Sequence, residues 1–319
     1  MGAALALASR GVGLATPNPS VGCIIIKDGR VIGRGHTQPG GRPHAEAMAL
    51  AEAGDLARGA TAYVTLEPCA HQSPRGPSCA ESLIAAGIAR VVVAAPDPDP
   101  RTNGAGLARL AAAGIAVTSG VRQAEAEAGL AGFLTRLRLG RPHITLKLAT
   151  SLDGAIAMAD GRSQWLTGPR ARAAAHLERA RADLIIVGHG TWEADAPRLD
   201  VRLPGLEGRR PRIAVVGRGV VRRGEGLPAH VQHLPDLAAL CADPALHVLA
   251  EGGMGLAASL LAADLVDRLL LHRAPVLVGG GRTLGSIGLA DLAEAHGRWT
   301  AQPAITLGVD RIEAFTRNR

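Results

Sequence analysis

The chain is short of aromatic residues: Phe, Trp and Tyr together make up 2% of its 319 residues. Single-stranded nucleic acid is bound on stacking platforms of aromatic rings, so this composition supplies little for such a surface. The core has to be built from Ala, Val, Leu and Ile instead. Lysine is nearly absent too. Lys27 and Lys147 are the only two, and almost all positive charge is arginine, which reads as a compositional bias with no chemistry attached. Four cysteines (Cys23, Cys69, Cys79 and Cys241) are too few for a disulfide scaffold in a chain this long. They point to a metal site or free thiols in a cytoplasmic protein. No apolar run approaches the ~20 residues of a membrane span. The opening "MGAALALASRG" has no basic region before its apolar run and carries Arg10 early, so it reads as a helix and not as a signal peptide. Internal repeats, low-complexity tracts and runs of like charge are missing as well.

Hydrophobic residues are plentiful, at 47%. A chain of this length exceeds the usual size of one core, so two domains are expected. The net charge of +7 is spread evenly, with 14 basic against 10 acidic residues in 1–141 and 21 against 18 in 142–319. A nucleic-acid binder concentrates its charge in a patch. An even excess fits small anionic ligands, phosphates above all.

The pattern of elements is alternating α/β. Helix 3–10 ends at Gly11 and Gly13, and "TPNPSVG" is a loop. "CIIIKDGRVIGRGH" reads as a hairpin turning at Asp28 and Gly29. Helix 44–53, strand 61–66, helix 78–86 and strand 90–95 follow, then a long turn, helix 105–113, strand 115–118 and one helix over 123–139. A largely parallel sheet is expected for this half. "LGRPH" at 139–143 marks the domain boundary, which gives domains 1–141 and 142–319. The second half offers strand 143–151, helix 169–181, strands in "DLIIVGHGT" and "RIAVVG", a strand–turn–helix in "ALHVLAEGGMGLAASLLAADL", and one or two strands in "RLLLHRAPVLVGGG".

"PHAEAMAL" places His44 and Glu46 at the mouth of a helix. Alone, the pair is either a polar helix start or a metal ligand beside a proton carrier. The downstream residues decide between them. Cys69 follows an apolar strand and a Glu-Pro turn, and Cys79 opens a helix. One imidazole and two thiolates suit Zn²⁺ with a fourth position open to water. A structural site would be closed by a fourth protein ligand. Glu46 is better placed as a base, and an open zinc site with a carboxylate beside it performs hydrolysis. H-x-E followed by P-C and a second Cys is the signature of zinc nucleobase deaminases, although nine residues separate Cys69 and Cys79 here where the common form has two.

These residues carry a resemblance. "TPNPSVGCIIIKDGRVIGRGH", "PHAEAMAL", "AYVTLEPCAH", the wide cysteine spacing and "APDPDPRTNGAGLARLAAAGI" resemble the deaminase half of the bifunctional riboflavin-biosynthesis deaminase/reductases. "LKLATSLDGAIAMADGRSQWLTG" and "LAEGGMGLAASLL" resemble the opening and the cofactor loop of their reductase half. The resemblance spans essentially the whole chain. It implies a cytidine-deaminase-like three-layer α/β/α domain, then a dihydrofolate-reductase-like α/β domain. It implies hydrolytic deamination of 2,5-diamino-6-(5-phosphoribosylamino)pyrimidin-4-one, then NADPH-dependent reduction of the ribosyl group to ribityl, with one Zn²⁺ per chain.

By the same resemblance His44, Cys69 and Cys79 would hold zinc and Glu46 would move protons. Asn18 and His36 would lie near the deaminase substrate, with His71 either at its rim or simply solvated. Ala149, Trp165, Thr191, Asp195 and Gly253, Met254, Gly255 and Leu256 would contact NADPH. Lys147, Ser163, Arg179, Leu199, Arg202 and Glu251 would face the substrate, with Arg179 and Arg202 as bidentate partners of its phosphate. "EGGMG" supplies backbone N–H groups at a helix start but lacks the spaced glycines of a Rossmann site.

Two stretches depart from the family. "GRGVV" (Gly217 and Arg218) stands where an Asp-Ser type turn is usual, and in "GHGTW" His189 and Trp192 flank Thr191. They put the cofactor preference in question, unless Arg218 meets the 2′-phosphate. The competing readings are a tRNA-type nucleic-acid deaminase, a deaminase whose reductase half has decayed, and a non-enzymatic sensor with structural zinc. The partners expected are a small phosphorylated pyrimidine and further copies of the chain, with no nucleic acid and no membrane.

Overall fold

A computed structural model describes residues 1–71, 76–219 and 227–319. The chain divides into two compact units, Met1–Arg141 and Pro142–Arg319.

The first unit runs α1 (Gly2–Ala8), β1 (Gly22–Lys27), β2 (Arg30–His36), α2 (Ala45–Ala53), β3 (Thr61–Leu66), α3 (Cys79–Ala85), β4 (Arg90–Ala95), α4 (Ala105–Ala112), β5 (Ala116–Thr118), α5 (Gln123–Gly129) and α6 (Ala131–Leu139). The sheet order is β2-β1-β3-β4-β5. The hairpin turns as its sequence demands, because Asp28 and Gly29 both adopt positive φ (49° and 74°). The sheet is more mixed than expected: β1 is antiparallel to both β2 and β3, while β3, β4 and β5 are parallel. Helix 123–139 is also two helices and not one, broken at Leu130 (φ −98°, ψ 7°). Gly129 and Gly132 flank the break, and glycine is a poor residue for continuing a helix.

Small residues let the helices seat on the sheet. A Cβ on Gly22 would lie 1.9 Å from the Ala4 carbonyl oxygen, and one on Gly35 would lie 2.0 Å from that of Ala45. Gly35 pairs with Cys23, the neighbour of Gly22, so the two glycines point to opposite faces. Hence α1 and α2 cover opposite faces, and three layers result. The core between them is aliphatic: Ile25, Val64, Leu83, Val91 and Leu110 are fully buried among alanines.

The second unit runs β6 (His143–Thr150), α7 (Pro169–Ala180), β7 (Leu184–Gly188), α8 (His189–Asp195), β8 (Arg212–Val216), β9 (Val231–Leu234), α9 (Leu237–Ala242), β10 (His247–Glu251), α10 (Met254–Ala262), β11 (Arg268–Arg273), β12 (Trp299–Ala301), β13 (Ile305–Leu307) and β14 (Asp310–Arg317). Among the described residues its sheet follows the order β12-β14-β11-β6-β10-β7-β8-β9, with β13 on β14. From β11 to β9 every pairing is parallel, and β14 is antiparallel to its neighbours. "RLLLHRAPVLVGGG" yields one strand; beyond it Arg282 makes only an isolated bridge to Ala157. Side chains alternate along β6. Ile144, Leu146 and Leu148 pack with Leu260 and Leu261 of α10, while Lys147 and Ala149 take the face opposite. Parallel strands β6, β7, β8 and β10 bring their carboxyl ends, and the loops that follow, to one edge. Ligands of open α/β sheets bind at such an edge.

Two outcomes test this packing. Gly35→Ala forces α2 away from β2, an overpacking change expected to cost about 2 kcal/mol. The urea midpoint should fall together with bound zinc, since α2 carries His44; an unchanged midpoint would show the contact to be soft. In the second unit His272 of β11 is 1% exposed, and burial, with the Lys147 charge next, lowers its pKa from 6.5 to about 4. The unfolded chain therefore takes up this proton first as the pH falls. The stabilisation is complete above about pH 6.5 and lost towards pH 4, amounting to about 3 kcal/mol. Urea titrations of wild type and His272→Leu should diverge by that much across this window. Parallel curves would contradict the assignment.

Candidate active sites

The first site is made by two helix starts and a turn. His44 is the N-cap of α2 with extended backbone (φ −71°, ψ 162°), which turns its ring back across the helix mouth. Cys79 is the first residue of α3, whose start is fixed by a capping box between Ser78 and Glu81. Cys69 follows β3 and the Glu67-Pro68 turn. Glu67 is itself buried, and its carboxylate accepts the backbone N–H groups of Gly104 (3.1 Å), Gly106 (3.0 Å) and Leu107 (3.2 Å), tying the turn to the start of α4. Sequence reasoning passed over Glu67; a carboxylate directly before a Pro-Cys pair was the available signal.

His44 Nδ1 lies 3.3 Å from Cys79 Sγ and 3.8 Å from Cys69 Sγ, and all three donor atoms lie within 4.8 Å of one another. The ring's other nitrogen, Nε2, faces the Asn18 amide at 3.1 Å, and Asn18 is held by the Gly41 carbonyl at 3.0 Å. The Cys79 backbone N–H donates to Cys69 Sγ at 3.3 Å. Hydrogen bonds from Cys79 and His44 draw the Cys69 thiol down to about 4, and contact with that charged sulfur, together with burial, pushes the Cys79 thiol up. The protein alone thus keeps one thiolate of the pair. Both would be ionised together only against a cation, and two unbridged thiols converging with an imidazole on one point are the donor set zinc prefers.

Glu46 sits in the first turn of α2, 3% exposed. Burial, opposed by His44, raises its carboxyl to about 6. Asn18 therefore joins the cluster. His36 does not: its Nδ1 is turned to the Thr37 carbonyl at 3.0 Å and it makes no hydrogen bond to the three donors. His71 has a buried Nδ1 with no hydrogen-bond partner, so it is not a freely solvated loop residue.

The second site is a cleft of about 1100 Å³ at the carboxyl edge of the second sheet. Lys147 and Ala149 come from β6, Ser163 and Trp165 from the loop after it, and Arg179 from α7. Thr191 and Asp195 come from α8, Leu199 and Arg202 from the segment beyond, Glu251 from β10, and Gly253, Met254, Gly255 and Leu256 from the turn into α10. All of the residues expected for the reductase substrate and cofactor thus line one cavity. Trp165 is 66% exposed and stacks on the Arg172 guanidinium, 4.9 Å from the ring centre, so it is not a core residue; Trp192 is. The Gly253 N–H is already taken by Thr191 Oγ1 at 2.8 Å, which narrows the expected backbone cradle.

Glu251 accepts from Arg179 Nε at 2.5 Å and Nη2 at 2.8 Å. Burial pushes the Glu251 carboxyl up, but Arg179 and Lys147 outweigh it and hold the group below its ordinary value. Lys147 is moved the other way, with burial lowering its pKa against the pull of Glu251. The expectation that Arg179 and Arg202 are equal partners of a phosphate meets a physical objection. The Arg179 fork is committed to a buried carboxylate, whereas the Arg202 guanidinium, among the described residues, has contacts at 3.5 Å.

The two departures also lie on the cleft wall. The His189 ring is pressed against the Gly219 backbone, where an added Cβ would come within 2.7 Å of Nε2, and the Gly217 carbonyl faces His233 Nε2 at 2.7 Å. Arg218 lines the cavity beside them. Val220 and Val221 of "GRGVV" fall outside the described residues.

Comparison with known proteins gives the family. Residues 1–95 match the cytidine and deoxycytidylate deaminase zinc-binding region, and residues 142–294 match the RibD C-terminal domain. The chain is 42% identical to the riboflavin biosynthesis protein RibD of Escherichia coli, with 92% of each chain covered. It is 36% identical to that of Aquifex aeolicus, covering 98% of this chain and 96% of the relative. Among solved structures, Acinetobacter baumannii RibD superposes with a TM-score of 0.87 at 35% identity, covering 100% of this chain and 98% of the other. The Thermotoga maritima diaminohydroxyphosphoribosylaminopyrimidine deaminase/5-amino-6-(5-phosphoribosylamino)uracil reductase gives 0.89 at 30% identity, covering 100% and 97%. The chain belongs to the RibD family, the bifunctional riboflavin-biosynthesis enzymes that join a zinc-dependent pyrimidine deaminase to an NADPH-dependent reductase.

Proposed function

We propose that residues 1–141 carry out the deamination and residues 142–319 the reduction, with the site residues acting as follows. The observation that carries the reading is the convergence of His44 Nδ1, Cys69 Sγ and Cys79 Sγ within 4.8 Å, beside a buried Glu46. His44, Cys69 and Cys79 would hold zinc, which when bound would supply Lewis-acid activation of water. Glu46 takes the proton that the water gives up and returns it to the departing amino group, which leaves as ammonia. A carboxyl raised to about 6 suits both halves of that transfer near neutrality. Asn18 fixes the His44 ring. The amide was the one expected substrate residue of this half found in hydrogen-bond contact with the donors.

In the second unit NADPH, when bound, would supply the hydride, and the loop at Gly253–Leu256 with Thr191, Asp195, Ala149 and Trp165 would hold it. Reduction at the anomeric carbon opens the ribosyl ring, whose oxygen then needs a proton. Lys147, destabilised as an ammonium by burial, stands on the cleft floor as the source. Glu251, Ser163 and Leu199 shape the substrate end, and Arg202 takes the phosphate. A decayed reductase is disfavoured by the intact lining of this cleft. The location proposed is the cytoplasm, and the partner proposed is a small phosphorylated pyrimidine; among the described residues no helix is long and apolar enough to cross a membrane. Exposed apolar side chains on the second unit, Leu277, Ile305 and Val309 among them, support a homo-oligomer.

Glu46→Gln tests the assignment. Ammonia release should fall about a thousandfold while zinc content stays at wild-type level. NADPH oxidation on the already deaminated substrate should be unaffected. Retained ammonia release would remove Glu46 from the mechanism, and loss of NADPH oxidation would contradict the division of labour between the units.

A further inference from the structure

His176 was not among the residues singled out by the sequence. It lies on α7 three residues before Arg179, so both side chains leave the same side of the helix. Both meet the segment 199–202, where Arg179 and Arg202 are held very differently. Arg179 is 14% exposed, gives Nε and Nη2 to Glu251, and donates Nη1 to the Asp200 carbonyl at 3.1 Å. Arg202 is 54% exposed, with Asp200 Oδ1 3.5 Å from its Nε and His176 Nε2 3.5 Å from its Nη2. Neither is a close hydrogen bond. A loosely held fork at a cavity wall is able to turn two N–H groups towards a phosphate, and of this pair Arg202 is that fork.

The state of the imidazole follows from its neighbours. A guanidinium can only donate, so Nε2 must present its lone pair to Arg202. The ring proton then sits on Nδ1, where the Asp200 carbonyl at 3.1 Å accepts it. The Arg202 backbone N–H also points at Nδ1, from 3.3 Å, which sets residue 202 beside the ring; the nearer Asp200 carbonyl, together with the guanidinium at Nε2, decides which nitrogen carries the proton. An imidazolium would set donor against donor at Nε2. Burial, then the charges of Arg179 and Arg202, opposes that state, while Asp200 and Glu251 pull weakly the other way.

We infer that His176 is a positioning residue for the reductase: as a neutral Nδ1–H imidazole it aims the Arg202 fork at the phosphate of the phosphoribosylaminouracil. This rests on the reading, given above, that Arg202 meets that phosphate. It assigns His176 no contact with the reacting atoms. Its contribution therefore belongs to substrate binding through the phosphate and to nothing else in the reaction.

The test is a reductase assay on the phosphoribosylaminouracil and on the same compound without its phosphate, using wild type, His176→Leu, His176→Gln and Arg202→Ala. His176→Leu should raise KM for the phosphorylated compound about tenfold, the loss of one charge-assisted hydrogen-bond arrangement. It should leave kcat unchanged and the dephosphorylated compound unaffected. His176→Gln, which retains an acceptor near the place of Nε2, should recover most of the loss. Equal losses on both compounds, a loss in kcat alone, or no change in KM would overturn the inference. Arg202→Ala separates the two levels. If it leaves the preference for the phosphorylated compound intact, the phosphate assignment of Arg202 fails; if it abolishes the preference while His176→Leu is silent, only the role of His176 fails.

Discussion

Buried charge must be matched at close range, and each unit is organised around one such match. In the first, two thiols and an imidazole share a point that the protein does not neutralise by itself; Cys69 is acidified at the expense of Cys79. In the second, Glu251 is closed off from water and answered by the Arg179 fork and by Lys147. A buried carboxylate left without partners costs several kcal/mol.

How the elements reach those positions follows from the composition. With almost no aromatic side chains to fill space, the layers come together through glycine and alanine, as at Gly35 beneath Ala45 and Gly22 beneath Ala4. Close seating shortens the distance from strand to helix axis. It brings the mouth of α2, and with it His44 and Glu46, towards the turn after β3 that carries Cys69. Likewise Gly217 and Gly219 leave room for the His189 ring, so the two departures in the second unit are one local adjustment.

Much of this was legible in the sequence, for identifiable reasons. The three clustered donors were readable because each stands at a helix start or after a strand end marked by local residues: His44 before an alanine run, Cys69 after Glu-Pro, Cys79 after a Ser that caps. The parallel strands β6, β7, β8 and β10 were readable as short apolar runs. What escaped depended on distant partners. β14 carries Asp310, Arg311 and Glu313 around Ile312, and its pairing to β11 spans some 40 residues that no local pattern reports. The Arg179–Glu251 pair joins residues 72 apart, so its effect on the share of work between Arg179 and Arg202 could not be seen from spacing. The break at Leu130 was hidden because the residues on either side keep a helical period.

The scarcity of lysine has a practical side. Lys147 is the only lysine of the second unit; the other, Lys27, is in the first, its ammonium bonded to the Arg58 carbonyl at 2.8 Å. Arginine does not lose its proton in water, so the second unit has a single side-chain amine, on the floor of its cleft and biased by burial towards the uncharged, nucleophilic form. A reagent selective for amines therefore addresses that cavity through one atom. Covalent labelling at Lys147 makes cleft occupancy a mass-spectrometric observable, without any engineered handle.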